Sequence, residues 1–230
     1  LVERRGHIML ITLNRPYALN AVNLELSIGL GDALDEAERT PEVRAIVLTG
    51  AGERAFCAGV DLKALAAGEP LIADDPKRAP WGFAGYTQHH IGKPTIAAVN
   101  GFALGGGTEI VLASDLVVAA DTANFGLPEV THGILAGAGG VFRLPEQLPR
   151  KVAMELIVTG ERLPAQRAYE LGLVNRVVPR EQVVDAALAL AGRICANAPL
   201  AVQAGKRVAM GIVDGRIPGE GDRWKLSADE

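Results

Sequence analysis

The chain has 230 residues, 49% of them apolar, with 23 Lys and Arg against 27 Asp and Glu and a formal charge of −4, which gives a pI of about 5.7. That length suits one large domain or a domain with a helical appendage, and the absence of a Lys/Arg-rich block argues against a nucleic-acid or anionic membrane surface. No apolar run reaches the length of a membrane span, and two distant cysteines, Cys57 and Cys195, make neither a disulfide framework nor a metal-ligand spacing, so a reducing, cytoplasmic compartment is expected.

The first residues, LVERRGHIMLITLNRP, are strand-like rather than a signal peptide. The chain starts without Met and stops at Glu230, and both ends are expected to be longer in the full protein. His7 to Leu13 reads as a strand closed by Asn14-Arg15-Pro16. Asn23 is a candidate N-cap for a helix through about Arg39, with Leu26, Leu30, Leu34 and Ala37 as its apolar stripe. Ala45 to Leu48 is continuously apolar and is expected to be a strand buried on both faces. Gly50 to Glu53 then turns the chain towards Phe56-Cys57-Ala58-Gly59-Val60-Asp61-Leu62, with a helix starting near Asp61.

Gly68 to Gly85 holds three prolines and mixed charge and is expected to be a mobile loop or lid. Tyr86 to Gly92 is read as helical. Thr95 to Val99 is a short buried strand, Gly105 to Gly107 break the chain, and Thr108 to Ala113 open a helix. A second apolar strand, Leu116 to Ala120, leads to Phe125-Gly126-Leu127-Pro128-Glu129. Further on come a glycine-rich turn, Gly137 to Gly140, and a helix towards Leu148. Helices over Lys151–Val158 and Pro164–Leu171 stop at Gly160 and Gly172. A strand at Val174–Val178 and helices over Glu181–Ala196 and Pro199–Met210 complete the reading. AIVLTGAGERAFCAGVDL and TIAAVNGFALGGGTEI echo each other as strand, glycine break, small-residue turn and helix start. That spacing points to repeated ββα or βαβ units.

Several motifs fail on inspection. Gly50-x-Gly52-x-x-Ala55 follows a strand, but Phe56 to Gly59 intervene where a dinucleotide-binding helix would have to begin. No P-loop and no GxSxG elbow occur, and the histidines His7, His89, His90 and His132 lack metal-ligand spacing. The turns at Ala58-Gly59-Val60-Asp61 and Gly105-Gly106-Gly107 differ, because each precedes a helix whose first amides have no internal partner. Brought together, two such ends would place two donors on one developing oxyanion. On their own, the glycines equally fit tight strand-to-helix packing. Glu109 and Glu129 each stand among apolar residues, where a carboxylate is costly unless paired, hydrogen-bonded or working. Solvation or pairing with Arg143 or Arg150 is the other reading. Two carboxylates near one oxyanion site can hold a water between them, one taking a proton and the other giving one.

This constellation resembles the crotonase superfamily, and within it the enoyl-CoA hydratases. The resemblance runs through LNRPYALNA, AFCAGVDL, KPTIAAVNGFALGGGTE, FGLPEV, GAGG and VTGERLPAQRAYELGLVNRVVP. It implies an α/β fold, a spiral of ββα turns over residues 1–195, with residues 196–230 beginning a helical C-terminal trimerisation region cut short before the family's last helices. It implies a homotrimer or hexamer. The N–H groups of Val60 and Gly106 would form a thioester oxyanion hole, with Glu109 and Glu129 catalytic. Ala58, Asp61, Leu62 and Lys63 would line the acyl-CoA path, Ala18 would touch the CoA arm, and Gly137 would flank the water site. The implied reaction adds water to a trans-2-enoyl-CoA, as in fatty-acid β-oxidation, with no metal and no cofactor beyond the CoA of the substrate. A carnitinyl-CoA-type dehydratase or an enoyl-CoA isomerase is the alternative, FGLPEV and VFRLPEQLP leaning to the carnitinyl branch, and a non-catalytic acyl-CoA binder is a third reading. Ala136 stands where proline commonly precedes the GAGG turn.

Overall fold

The computed structural model describes residues 1–213 and 217–230. The chain opens with β1 (Val2–Arg5) and β2 (Ile8–Leu13), an antiparallel pair. Helix α1 (Leu24–Arg39) begins where expected, because the Asn23 side chain accepts the Leu26 N–H at 3.1 Å and so satisfies one of the unpaired first-turn donors. Its core face is Ser27, Leu30, Gly31, Ala33, Leu34 and Ala37, with Leu26 only partly covered.

The middle of the chain is three rounds of one pattern. β3 (Ala45–Gly50), β4 (Ala55–Cys57) and α2 (Leu62–Ala66) form the first. β5 (Thr95–Val99), β6 (Phe102–Leu104) and α3 (Gly106–Ala113) form the second. β7 (Leu116–Ala120), β8 (Asn124–Gly126), a short 3-10 turn at Pro128–His132 and α4 (Gly140–Gln147) form the third. In every round the first strand joins one sheet and the second strand joins another. Then follow α5 (Arg150–Thr159), β9 (Arg162–Pro164), α6 (Ala165–Glu170), β10 (Arg176–Val178), α7 (Val183–Cys195), α8 (Pro199–Ala209) and α9 (Glu220–Asp229). The six-stranded sheet has the order β1-β2-β3-β5-β7-β10, and the four-stranded sheet the order β4-β6-β8-β9. Ile46 pairs with Thr95, Ala97 with Val117, and Ala103 with Phe125, all in parallel.

Parallel strands covered on both faces read as unbroken apolar runs, and all six residues of β3 and all five of β5 are buried. The expected ββα spiral is therefore present. α7 packs on the six-stranded sheet through Val183, Ala187, Ala191 and Cys195. Helix α8 buries no residue and exposes Leu200 and Val208. Residues 214–216, inside the region read as C-terminal, lie outside the described residues.

Three sequence expectations are corrected. Tyr86–Gly92 is a series of turns and not a helix. Its backbone is held from outside, by Phe83 O on the Thr87 N–H and by the Trp81 carbonyl on the Gln88 N–H. The Gly68–Gly85 segment is not a free lid along its whole length. Arg78 forms a fork on Asp32 of α1, and Trp81, 9% exposed, lies on Gly31 and stacks on His89 at 4.4 Å. The second half is thereby docked on α1. The chain also does not end its helices near Met210, since α9 follows.

Candidate active site

The first glycine turn leaves β4 at Cys57 and forms a parallel bridge between Val22 and Val60. Gly59 O accepts the Val22 N–H at 2.8 Å, and the Asp61 N–H donates to Val22 O at 2.9 Å. This pairing uses the groups on either side of Val60 and leaves its N–H without a protein acceptor among the described residues. Gly106 is the first residue of α3, so its N–H has no intrahelical partner. The two turns touch. A Cβ on Gly59, which has φ +89°, would lie 2.9 Å from Leu104 O and 3.0 Å from Gly106 N. Two bare amides from successive ββα rounds thus meet at a position that only a residue without a side chain permits.

The carboxylates arrive from two further elements. Glu109 points inward from the first turn of α3 and is 3% exposed. Its Oε1 accepts the Gly140 N–H, the first amide of α4, at 2.9 Å. Burial, opposed by the Gly140 amide and reinforced by the charge of Glu129, pushes this carboxyl up to about 7. Glu129 belongs to the Pro128–His132 turn. Its Oε1 stands 3.0 Å from where a Cβ of Gly105 would be, and its buried Oε2 has no hydrogen-bond partner. Burial raises the Glu129 carboxyl as well. The pairing with Arg143 weighed from sequence is absent, because Arg143 binds Glu220. Burial thus raises both carboxyls, and the charge of Glu129 adds to the rise at Glu109.

The enoyl-CoA hydratase/isomerase family matches residues 3–216. The chain belongs to that family. It is 46% identical over 208 residues to a carnitinyl-CoA dehydratase of Salmonella agona, covering 90% of this chain and 78% of that one. A crystal structure of a carnitinyl-CoA hydratase from Mycobacterium avium superposes with a TM-score of 0.96 at 60% identity, covering 100% of this chain and 87% of that one. An enoyl-CoA hydratase from Mycobacterium tuberculosis H37Rv gives a TM-score of 0.87 at 48% identity, covering 97% and 87%.

The remaining sequence-derived residues lie in or beside the first glycine turn or in the GAGG turn. The Ala58 N–H donates to Leu19 O at 3.1 Å, which sets the Pro16–Ala18 turn, and so Ala18, beside Ala58. Leu62 and Lys63 are exposed at the start of α2. Asp61 is engaged by the fold. Its carboxylate caps α2 through the Lys63 and Ala64 amides, and it pairs with Arg15 at 2.9 Å, which holds it below the usual carboxylate range. Its backbone is engaged as well, the N–H on Val22 O and the carbonyl accepting the Leu65 N–H at 2.9 Å. Gly137 is exposed, with no atom closer than 4.0 Å to the position of a Cβ. It is Gly140, three residues on, whose amide holds Glu109.

Gly140 was therefore the residue missed in the GAGG turn. Gly105 and Thr108 were missed too, although both lie in the GGGTE motif. The Thr108 hydroxyl lies 2.6 Å from Ala103 O and 2.9 Å from Gly126 O, and it accepts the Gly126 N–H at 3.0 Å. It fastens α3 to β6 and β8. Phe83, whose ring would collide with a Cβ on Gly106, carries no local sequence signal. Among the described residues no group of three His, Cys, Asp or Glu side chains gathers as a metal site.

Proposed function

We propose that this chain is a hydro-lyase that interconverts a 3-hydroxyacyl-CoA and its 2-enoyl-CoA, and that its substrate is carnitinyl-CoA. The observation that carries the reaction is a buried carboxyl, Glu109, and a half-buried one, Glu129, both raised, beside two unengaged backbone amides. A strongly raised carboxyl with a second one nearby, beside preorganised donors, marks a proton-transfer site. The printed names of the 46% and 60% identical relatives support the substrate. They put the carnitinyl reading, second from sequence, ahead of the general enoyl-CoA hydratase.

Glu109, the more buried of the two carboxyls and pushed up to about 7, is assigned the part of proton donor, and Glu129 that of base. The thioester oxygen accepts from Val60 and Gly106, which stabilises charge drawn from C2. In the dehydration direction ionised Glu129 takes the C2 proton, the C3–O bond breaks, and Glu109 gives its proton to the departing hydroxyl, which leaves as water. Hydration is the same path reversed. One proton has moved between the carboxylates, and no electron transfer is required.

The test is turnover of carnitinyl-CoA against straight-chain trans-2-enoyl-CoAs, followed by the absorbance of the conjugated thioester. The expected kcat/KM ratio favours the carnitinyl pair by about tenfold or more, a discrimination within reach of a few contacts. Faster turnover of the straight-chain substrates would restore the general hydratase, and tight binding without turnover would favour a plain acyl-CoA binder.

A pH prediction comes from the same pair. The active form has one proton, so kcat/KM is expected to be bell-shaped, with its alkaline limb near the Glu109 value of about 7. The apparent values belong to the pair and not to either residue. A kcat/KM flat for about two units above that limb would remove Glu109 as the proton donor.

A further inference from the structure

Helix α9 takes no part in the chemistry above, yet it is fastened to the element that holds Glu109. Glu220 Oε1 accepts from Arg143 Nε at 3.2 Å and from Nη2 at 2.6 Å, with the two side chains 17% and 13% exposed. Arg223 pairs with Glu146, and Trp224 meets Phe142 edge-on at 4.9 Å. The Arg143 guanidinium lies 5.2 Å from the Trp224 ring centroid and 5.7 Å from that of Phe142. Arg143 also reaches away from α9. Its Nη1 donates to Thr87 O at 2.7 Å, and the Thr87 N–H donates to Phe83 O at 3.1 Å. Phe83 is the residue whose ring lies against Gly106.

On its other side Arg143 borders the turn before Gly140. A Cβ on Gly139, at φ +106°, would lie 3.0 Å from Trp224 Cη2 and 3.3 Å from Arg143 Nη1. The Arg143 N–H closes the first turn of α4 on Gly139 O at 2.9 Å. The peptide between Gly139 and Gly140 carries the N–H that binds Glu109.

We propose that Arg143, held by Glu220 and Trp224 of α9, is a positioning residue that locks the Gly140 amide onto Glu109 and the Phe83 turn onto Gly106 as one unit. The proposal rests on the roles given above to Glu109 and Gly106. Arginine suits this task because its planar fork donates in two directions at once and keeps its charge when buried. A buried ion pair is a poor device for stability alone, since desolvation offsets most of its attraction. The charged groups acting on Glu109 are Glu129, from the Pro128–His132 turn, and Arg143, from α4. Arg143 in turn faces Glu220 of α9 and influences the Tyr86 phenol. Its positive charge draws the Glu109 carboxyl down against burial.

The full chain is tested as Arg143→Gln, Arg143→Lys, Glu220→Gln and Glu146→Gln, the last breaking the other α4–α9 pair without touching Thr87 or Gly139. Two readings are taken: kcat and KM on carnitinyl-CoA, and the pH midpoint of the Glu109 carboxylic-acid infrared band, assigned by its loss in Glu109→Gln. Arg143→Gln is expected to lower kcat by about tenfold to a hundredfold with little change in KM, the size expected of a small misplacement, and to move the midpoint to higher pH. Glu220→Gln leaves the guanidinium charge uncompensated and is expected to move it to lower pH. Arg143→Lys keeps the charge without the fork, so the midpoint recovers while kcat stays low. Glu146→Gln is expected to resemble the wild type in both readings.

An unchanged kcat and midpoint in Arg143→Gln would overturn the proposal, as would Glu146→Gln reproducing its effects, which would mean that α9 acts only as a cover. If Arg143→Gln does not fold, Glu220→Gln decides by the direction of its midpoint. If the wild type turns over no acyl-CoA, the function proposed above has failed, and the infrared midpoint still decides the positioning role separately.

Discussion

Glu129→Gln is expected to lower kcat by about a hundredfold to ten-thousandfold, the range that positioned acid–base groups contribute, with a much smaller change in KM. The amide matches the carboxylate in shape but cannot take a proton from C2. The measurement is single-turnover dehydration monitored by enoyl-thioester absorbance, which separates the chemical step from product release. Glu129 Oε2 is buried without a partner, an arrangement that costs free energy in the resting protein. A carboxylate left so is explained if its partner is a reacting atom. A Glu129→Gln variant with wild-type kcat would sink the mechanism.

Glu109→Gln separates activity from stability. The Glu109 carboxyl is raised from 4.5 to about 7 on folding. A raised carboxyl gives stability that is fully present below the unfolded value and is lost as pH rises through the folded one. Above pH 7 the charged, buried group therefore costs on the order of 3 kcal/mol relative to an exposed one. The neutral glutamine removes that cost. The variant is expected to melt higher than wild type at alkaline pH and to match it in acid, while losing activity to a degree comparable with Glu129→Gln.

Those two glutamates were visible from the chain alone because charge among apolar residues is a local anomaly. The Asn23 cap and the unbroken apolar strand at Ala45 were visible for the same reason, since a cap or a buried run is written in adjacent residues. What was not visible depends on distant parts of the chain. β6, β8 and β9 have three residues each, too few for periodicity to show, and exist because they pair with one another. Tyr86–Gly92 has helix-compatible composition, but the Trp81–His89 stack and the Arg143 bond to Thr87 fix another path. The docking of Trp81 on Gly31 joins residues fifty apart, so a proline-rich stretch looked free when half of it is fastened. In GAGG, motif spacing could not tell which amide meets Glu109, because that depends on where α4 begins. The amide that does so is that of Gly140. Helix α9 has no core face of its own, burying no residue, and so gave no apolar stripe to read.

Gly105→Ala is expected to reduce kcat by about a hundredfold or more, comparable to removing one oxyanion donor, and to destabilise the fold by about 1–3 kcal/mol. Two independent effects act at this position. The backbone sits at φ +56°, ψ −126°, a region that L side chains rarely adopt. The added methyl would also stand 3.0 Å from Glu129 Oε1, tighter than ordinary contact. Relief of either moves something that matters. If the backbone rotates, the Gly106 N–H turns away from the Gly59 side of the site. If the carboxylate gives way, Glu129 leaves the position from which it reaches C2. The Gly105 N–H, bonded to Gly126 O at 2.9 Å, resists the first movement and favours the second. Gly133→Ala serves as the control. Gly133 also has positive φ, at +73°, but nothing lies within 4 Å of its Cβ position, so it is expected to lose stability without a comparable loss of kcat. Thermal melts and kcat measured on both variants separate backbone strain from displacement of the carboxylate. Equal kcat losses at the two glycines would assign the effect to strain and remove Gly105 from the site.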